Sequence, residues 1–162
     1  MPRPLASLVM ILALAVGLLL GPVRPAMAAM DYAKQVLIGH DFAGADLRGV
    51  TFNLTNLREA DFHGADLRGA SLFGAKLQDA NFSGADLREA TLDSAVFEGS
   101  DLRNARLDDA FAFNTKFSNV RIEGADFTNV PFRGDALKTL CASASGTNPV
   151  TGRQTRDTLA CS

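Results

Sequence analysis

The sequence has no tryptophan, one tyrosine, two histidines and two cysteines among 162 residues. So few donor side chains leave most metal-site and redox-cofactor chemistries short of ligands. No charge of one sign dominates: sixteen Lys and Arg stand against eighteen Asp and Glu, a net of −2. Nucleic-acid binding would need a strongly basic balance, and a nucleic-acid mimic a denser acidic surface. Apolar residues at 47% and charged residues at 21% are ordinary for a globular chain and exclude wholesale disorder.

The one long apolar run, residues 5–20, is shorter than the ~20 residues of a membrane-spanning helix. Arg3 precedes it, Gly21 and Pro22 break it, and Ala26-Met27-Ala28 offers a cleavage site. Residues 1–28 therefore read as a signal peptide. The residue directly after the site is Ala29 and not cysteine, so a lipid anchor there is not expected. Loss of Arg3 and Arg24 takes sixteen basic residues to fourteen against eighteen acids, a net of −4. An exported chain is expected, without stable membrane insertion, in a compartment where disulfides persist.

What the sequence has in abundance is a five-residue repeat. Stepping by five from Phe42 to Phe132 meets Leu, Phe or Ile at eighteen of nineteen positions, Ala112 being the exception. Two residues earlier the side chain is small, twelve times Ala and otherwise Val, Thr or Ser, with His40 the exception. Two residues later, fifteen of nineteen are Gly, Asn or Asp; Leu54, Glu59, Glu89 and Ser94 depart. Period five fits neither helix nor plain strand. It fits a composite. Residues two apart in an extended segment share a face, so the small and large residues point inward together. The remaining residues turn a corner, where Gly, Asn and Asp belong. Phe42-Ala-Gly-Ala-Asp-Leu-Arg48 recurs nearly unchanged from Phe62 and from Phe82. That 20-residue super-period predicts four repeats per coil, and residues 40–134 as nearly five coils.

The repeated Ala-Asp-Leu-x-Gly resembles the pentapeptide-repeat family. The resemblance implies an all-β solenoid, a right-handed quadrilateral β-helix. The tail, Leu140-Cys141, Ala144–Gly152, Thr155-Arg156 and Leu159-Ala-Cys161, resembles exported cyanobacterial and chloroplast-lumen members. It implies the thylakoid lumen or periplasm. No bipartite plastid transit sequence precedes the signal, so a cyanobacterial rather than plant origin is expected.

A solenoid needs caps at both ends. Residues 29–39 are expected to be a helical N-terminal cap, with Asp31 as its N-cap and Ala33, Val36 and Leu37 on one face. Residues 135–162 are expected to cap the other end, with Asp135 opening a helix that turns Leu137, Leu140 and Cys141 onto the last coil. Asn148-Pro149 and Gly152 mark turns. Cys141 and Cys161, the only cysteines of an exported chain, are expected to form a disulfide, either a passive staple or a redox switch.

Every fourth repeat returns to the same wall. One wall stacks Asp46/Arg48, Asp66/Arg68 and Asp86/Arg88 beneath a reversed Arg106/Asp108. At the reversal Asp86 should meet Arg106, and Arg88 should meet Asp108. This is either a solvated, locally neutral wall or a charge stripe for a partner. The next wall carries Leu54, Phe73, Phe111 and Phe113 at outward positions. Three readings stand: a slip tucking Phe111 or Phe113 into the core, scattered surface residues, or a protein-docking patch. His40 is expected inward at the mouth of the first coil and His63 outward, near Asp41 and Asp61, with no nucleophile beside them.

No catalytic residue, metal site or cofactor is expected. The sequence reads as a non-enzymatic exported module presenting a rigid wall to a protein partner it does not identify. The alternatives are a redox-responsive lumenal protein and, against the export signal and mixed charges, a nucleic-acid mimic acting on a topoisomerase, as the resemblance implies for cytosolic relatives.

Overall fold

In the computed structural model, residues 30–162 are described; the expected signal peptide lies outside the described residues. Parallel bridges join Asp41 to Asp61, Asp46 to Asp66, Thr51 to Ser71 and Asn56 to Lys76, always 20 residues apart. Each coil therefore has four five-residue sides. The outward residue of each side carries the ladder: Asp61 donates its N–H to the His40 carbonyl (2.9 Å) and accepts from the Phe42 N–H (2.7 Å). Pairing extends to three residues only where β1 (Val96–Glu98) lies parallel to β2 (Lys116–Ser118), with Phe97 opposite Phe117.

The large inward residues form the core. Phe52, Leu57, Phe62, Leu67, Phe82 and their counterparts are fully buried, each contributing about 1.5–3 kcal/mol. Identical slots sit one above another, so rings stack: Phe42 on Phe62 at 5.0 Å and Phe62 on Phe82 at 4.7 Å. The small slots let the walls approach. Three of them carry a hydroxyl, and each donates to a carbonyl 23 residues back: Thr55 to Tyr32 (2.8 Å), Ser100 to Leu77 (2.6 Å) and Thr115 to Leu92 (2.8 Å). Corner residues adopt the left-handed conformation, Gly44 at φ 66° and Asn104 at 58°. Leu54 holds the same conformation at φ 57°, which strains a residue with a Cβ by about 1–2 kcal/mol.

The expected N-terminal helix is not formed. Asp31 bridges Thr51 and Val36 bridges Asn56, so the first coil begins at Asp31. Tyr32 and Leu37 lie on the five-residue phase of Phe42 and join the core from its edge. Lys34 and Gly39 turn the corners at φ 61° and 65°, which no helix accommodates. The Asp31 carboxylate accepts the Ala33 N–H at 2.9 Å as a turn, not a helix cap.

At the other end α1 (Gly134–Ser143) buries Leu140. Its N-cap is Arg133, with Asp135 inside the first turn, so the expected cap moves by two residues. A short hairpin follows, with Thr147 opposite Gln154, then α2 (Thr155–Thr158). The Cys141–Cys161 disulfide, with Cα atoms 5.6 Å apart, ties the chain end to α1. Where this segment crosses the last coil, Gly124 donates to the Ser145 carbonyl at 2.9 Å. A Cβ on Gly146 would fall 2.9 Å from the Gly124 nitrogen, so only glycine fits the crossing.

Candidate functional site

Two adjacent walls differ sharply in charge. On the second wall, residues 46, 48 and 49 and their equivalents through 109 give twelve outward and corner positions, ten of them charged. On the third, residues 51, 53 and 54 and their equivalents through 114 give twelve positions, of which only Asp93 is charged.

The second wall neutralises itself. Arg48 grips Asp46 with two bonds of 2.7 and 2.6 Å. Arg68 and Arg88 hold Asp66 and Asp86 in the same way. Arg48 also reaches up to Asp66 at 3.7 Å, and Arg68 to Asp86 at 3.8 Å. The Arg48 guanidinium pulls the Asp46 carboxyl down to about 2. Arg68 likewise lowers Asp66. For Asp86, burial works to raise the value and the Arg88 bonds outweigh it.

The wall's upper end departs from expectation. Asp86 and Arg106 are neighbours on the backbone ladder, but the Asp86 carboxylate pairs with Arg88 and Arg68 and the Arg106 side chain turns to Asp108. Asp108, however, is gripped by Arg153 from the terminal hairpin, with Arg106 at 3.4 Å, rather than by Arg88. Above it lies Asp126, fully buried. It accepts from Arg153 Nε at 2.7 Å, Thr151 Oγ1 at 2.6 Å and Thr128 Oγ1 at 2.7 Å. Burial pushes Asp126 up; those bonds more than offset it and hold the carboxyl below its ordinary value. Buried Asn148 locks the same hairpin, donating to the Gly124 carbonyl at 2.9 Å and accepting the Val150 and Thr151 N–H groups at 3.0 Å. Sequence reasoning missed Arg153, Asp126 and Asn148 as a cluster.

The third wall holds Leu54, Phe73, Phe111 and Phe113, 53%, 43%, 50% and 46% exposed. Phe73 and Phe113 share one column, two coils apart; Phe111 occupies the neighbouring column; Leu54 turns the corner below. Ala112 takes the inward slot and is fully buried, so neither Phe111 nor Phe113 slips inward. The lone charge is turned into the corner: Asp93 accepts the Asn114 N–H at 2.9 Å. Leu54 lies over the next corner, where a Cβ on Gly74 would come within 2.7 Å of its Cδ2.

On the first wall His63 Nδ1 meets Ser83 Oγ at 2.9 Å. His40 is exposed at the coil mouth with its ring 4.6 Å from Phe42. Asp41 and Asp61 bond backbone N–H groups, and Asp61 also Asn81; neither bonds an imidazole among the described residues. There is no group of three or more His, Cys, Asp or Glu able to hold a metal among the described residues.

Pentapeptide repeats match residues 37–72, 70–109 and 101–134, in eight copies. The chain belongs to the pentapeptide-repeat family. A crystal structure of a pentapeptide repeat protein from the Arabidopsis thaliana thylakoid lumen is 46% identical, with a TM-score of 0.78 over 80% of this chain and 90% of that one. The chloroplastic thylakoid lumenal 15 kDa protein 1 of Arabidopsis thaliana is 56% identical over 36 residues, 22% of this chain. That match spans only 16% of the relative's own length. Like these pentapeptide-repeat proteins the chain is a structural repeat protein, and nothing in its walls indicates catalysis. Among the described residues, no helix is long and apolar enough to cross a membrane.

Proposed function

We propose that this protein is a non-enzymatic exported scaffold, a right-handed four-sided β-helix of the thylakoid lumen or periplasm, whose third wall docks a protein partner. The lumenal relatives and the disulfide support the compartment. The observation that carries the docking reading is the third wall from residue 51 to residue 114, where Asp93 is the one charge and four apolar side chains are exposed. Charge depletion with aromatic enrichment is the composition of an interface centre. The Leu54 strain is consistent with a side chain held for contact rather than for folding.

The test is cross-linking of the tagged protein in its own compartment. The Phe111→Ser/Phe113→Ser double variant should fold normally and lose its adduct. An Asp46→Ser/Asp66→Ser control on the second wall should keep it. An adduct that survives loss of both Phe rings removes the third wall from the proposal.

A second reading is a redox-responsive protein whose end opens on reduction. It is favoured by the position of the disulfide, which closes the segment supplying Asn148 and Arg153 to the last coil.

A further inference from the structure

We propose that two copies of the mature chain stack through their first coils into a closed head-to-head dimer. This rests on signal cleavage after Ala28, which leaves only Ala29 ahead of the described residues.

Among the described residues, one end of the solenoid is closed and the other is open. α1, the terminal hairpin and the disulfide cover the last coil. In the second coil, the N–H and C=O of Asp61 both point down to the first coil. Val36, Asp41 and Asp46 hold the same place one coil below, so both their groups point out of the open end. Among the described residues none of these N–H or C=O groups has a backbone partner. Exposed apolar side chains gather there too: Val36 is 72% exposed, Ile38 49% and Met30 43%. An open strand edge with apolar flanks is a template for pairing.

The geometry selects the occupant. One residue of mature chain cannot cover four sides. An extended peptide could pair with one side only. A second copy presents the same square, with the same N–H and C=O pair on each side. A two-fold axis across the coil axis runs facing strands antiparallel, and opposed residues then exchange both hydrogen bonds. The same operation maps a helical ramp onto a ramp of the same hand, so the two ends stay parallel around the whole coil. The capped far ends stop growth at two copies, and the symmetry is closed.

The contact is modest. Opposite walls ~10 Å apart make a coil end about 20 Å across with side chains, or roughly 400 Å² per copy, below a standard interface. Asp31, Asp41 and Asp46 line the edge against Lys34 and Arg48, so salt should strengthen the association by screening the acids. Exchange between monomer and dimer should be rapid and dependent on concentration.

The experiment is sedimentation equilibrium with backbone hydrogen exchange, on mature protein whose intact mass starts at Ala29. Mass should rise toward twice that of the chain with concentration, while the Val36, Asp41 and Asp46 amides become protected. Val36→Lys and Val36→Pro, which alter groups unused within one chain, should weaken association at least tenfold while leaving the melting curve of dilute protein unchanged. Phe111→Ser/Phe113→Ser should dimerise as the parent does. A monomer at every concentration with rapidly exchanging edge amides overturns the proposal. So does protection of those amides in the dilute monomer, or a dimer lost with Phe111 and Phe113 and indifferent to Val36.

Discussion

Replacing Arg153 by Ala tests whether the terminal hairpin is clamped to the solenoid by charge. The substitution leaves Asp126, fully buried, without its cation, while Thr151 and Thr128 still donate at 2.6 and 2.7 Å. Removing one partner of a buried pair costs about 3–5 kcal/mol. The two remaining hydroxyl bonds, and an Arg153 side chain 43% exposed, bring the expectation down to about 2–3 kcal/mol. For a chain of this size that is roughly 6–12 °C in melting temperature. Urea denaturation of the oxidised protein across pH gives the second arm. The Asp126 carboxyl is held below its ordinary value in the folded protein. Its contribution is therefore complete above the unfolded pKa of about 4 and falls away as pH drops through the lower folded value. Without Arg153 the folded pKa rises, and the acid loss of stability should begin at higher pH. A variant within about 0.5 kcal/mol of the parent, or one with the same acid limb, would refute the clamp.

Three further outcomes follow from the same contacts. Leu54→Asn should relieve the left-handed strain and raise stability by about 0.5–1 kcal/mol in a thermal melt, while reducing partner adducts if the third wall docks. Reduction of Cys141–Cys161 should cost about 3 kcal/mol by releasing the 20-residue loop; hydrogen exchange should rise over residues 134–162 and stay slow in the middle coils. Ser100→Ala removes the buried hydroxyl from the Leu77 carbonyl and should cost about 1–3 kcal/mol in urea denaturation.

The coil was readable from sequence because its periodicity is enforced at every step. Each inward slot stacks on its equivalents 20 residues away and meets other inward slots across the coil, as Phe52 meets Phe62, so nearly every repeat must carry the same residue types. The N-terminus was misread for a related reason. Ala33, Val36 and Leu37 satisfy a helical spacing, while Tyr32 and Leu37 satisfy the five-residue phase. Among the described residues the first coil has no coil beneath it, so Gln35 and His40 in its small slots are free of the packing that makes later slots Ala. Local pattern therefore favoured a helix. The corner column decides the matter: Gly39 lies on it, and the bridges from Asp31 and Val36 extend the same ladder.

The clamp was illegible for the opposite reason. Asp108 and Asp126 continue a wall whose lower acids are matched by Arg two residues on, so they read as surface charges. At residue 128 the column supplies Thr, and no cation remains in the coil for Asp126. The missing partner comes from Arg153, 27 residues later, in a hairpin with no repeat to place it. Asn148 shows the same limit: its turn role was readable, because its own carbonyl oxygen takes the next N–H groups, but its bonds to the carbonyls of residues 104, 105 and 124 depend on where the hairpin lands. An acid in a charged column whose repeat lacks its Arg is thus a signal readable from sequence. Asp41 and Asp61 also lack that Arg, but they are less buried and are satisfied by backbone N–H groups and Asn81; Asp126 is fully buried, and it is there that a cation from outside the repeats arrives.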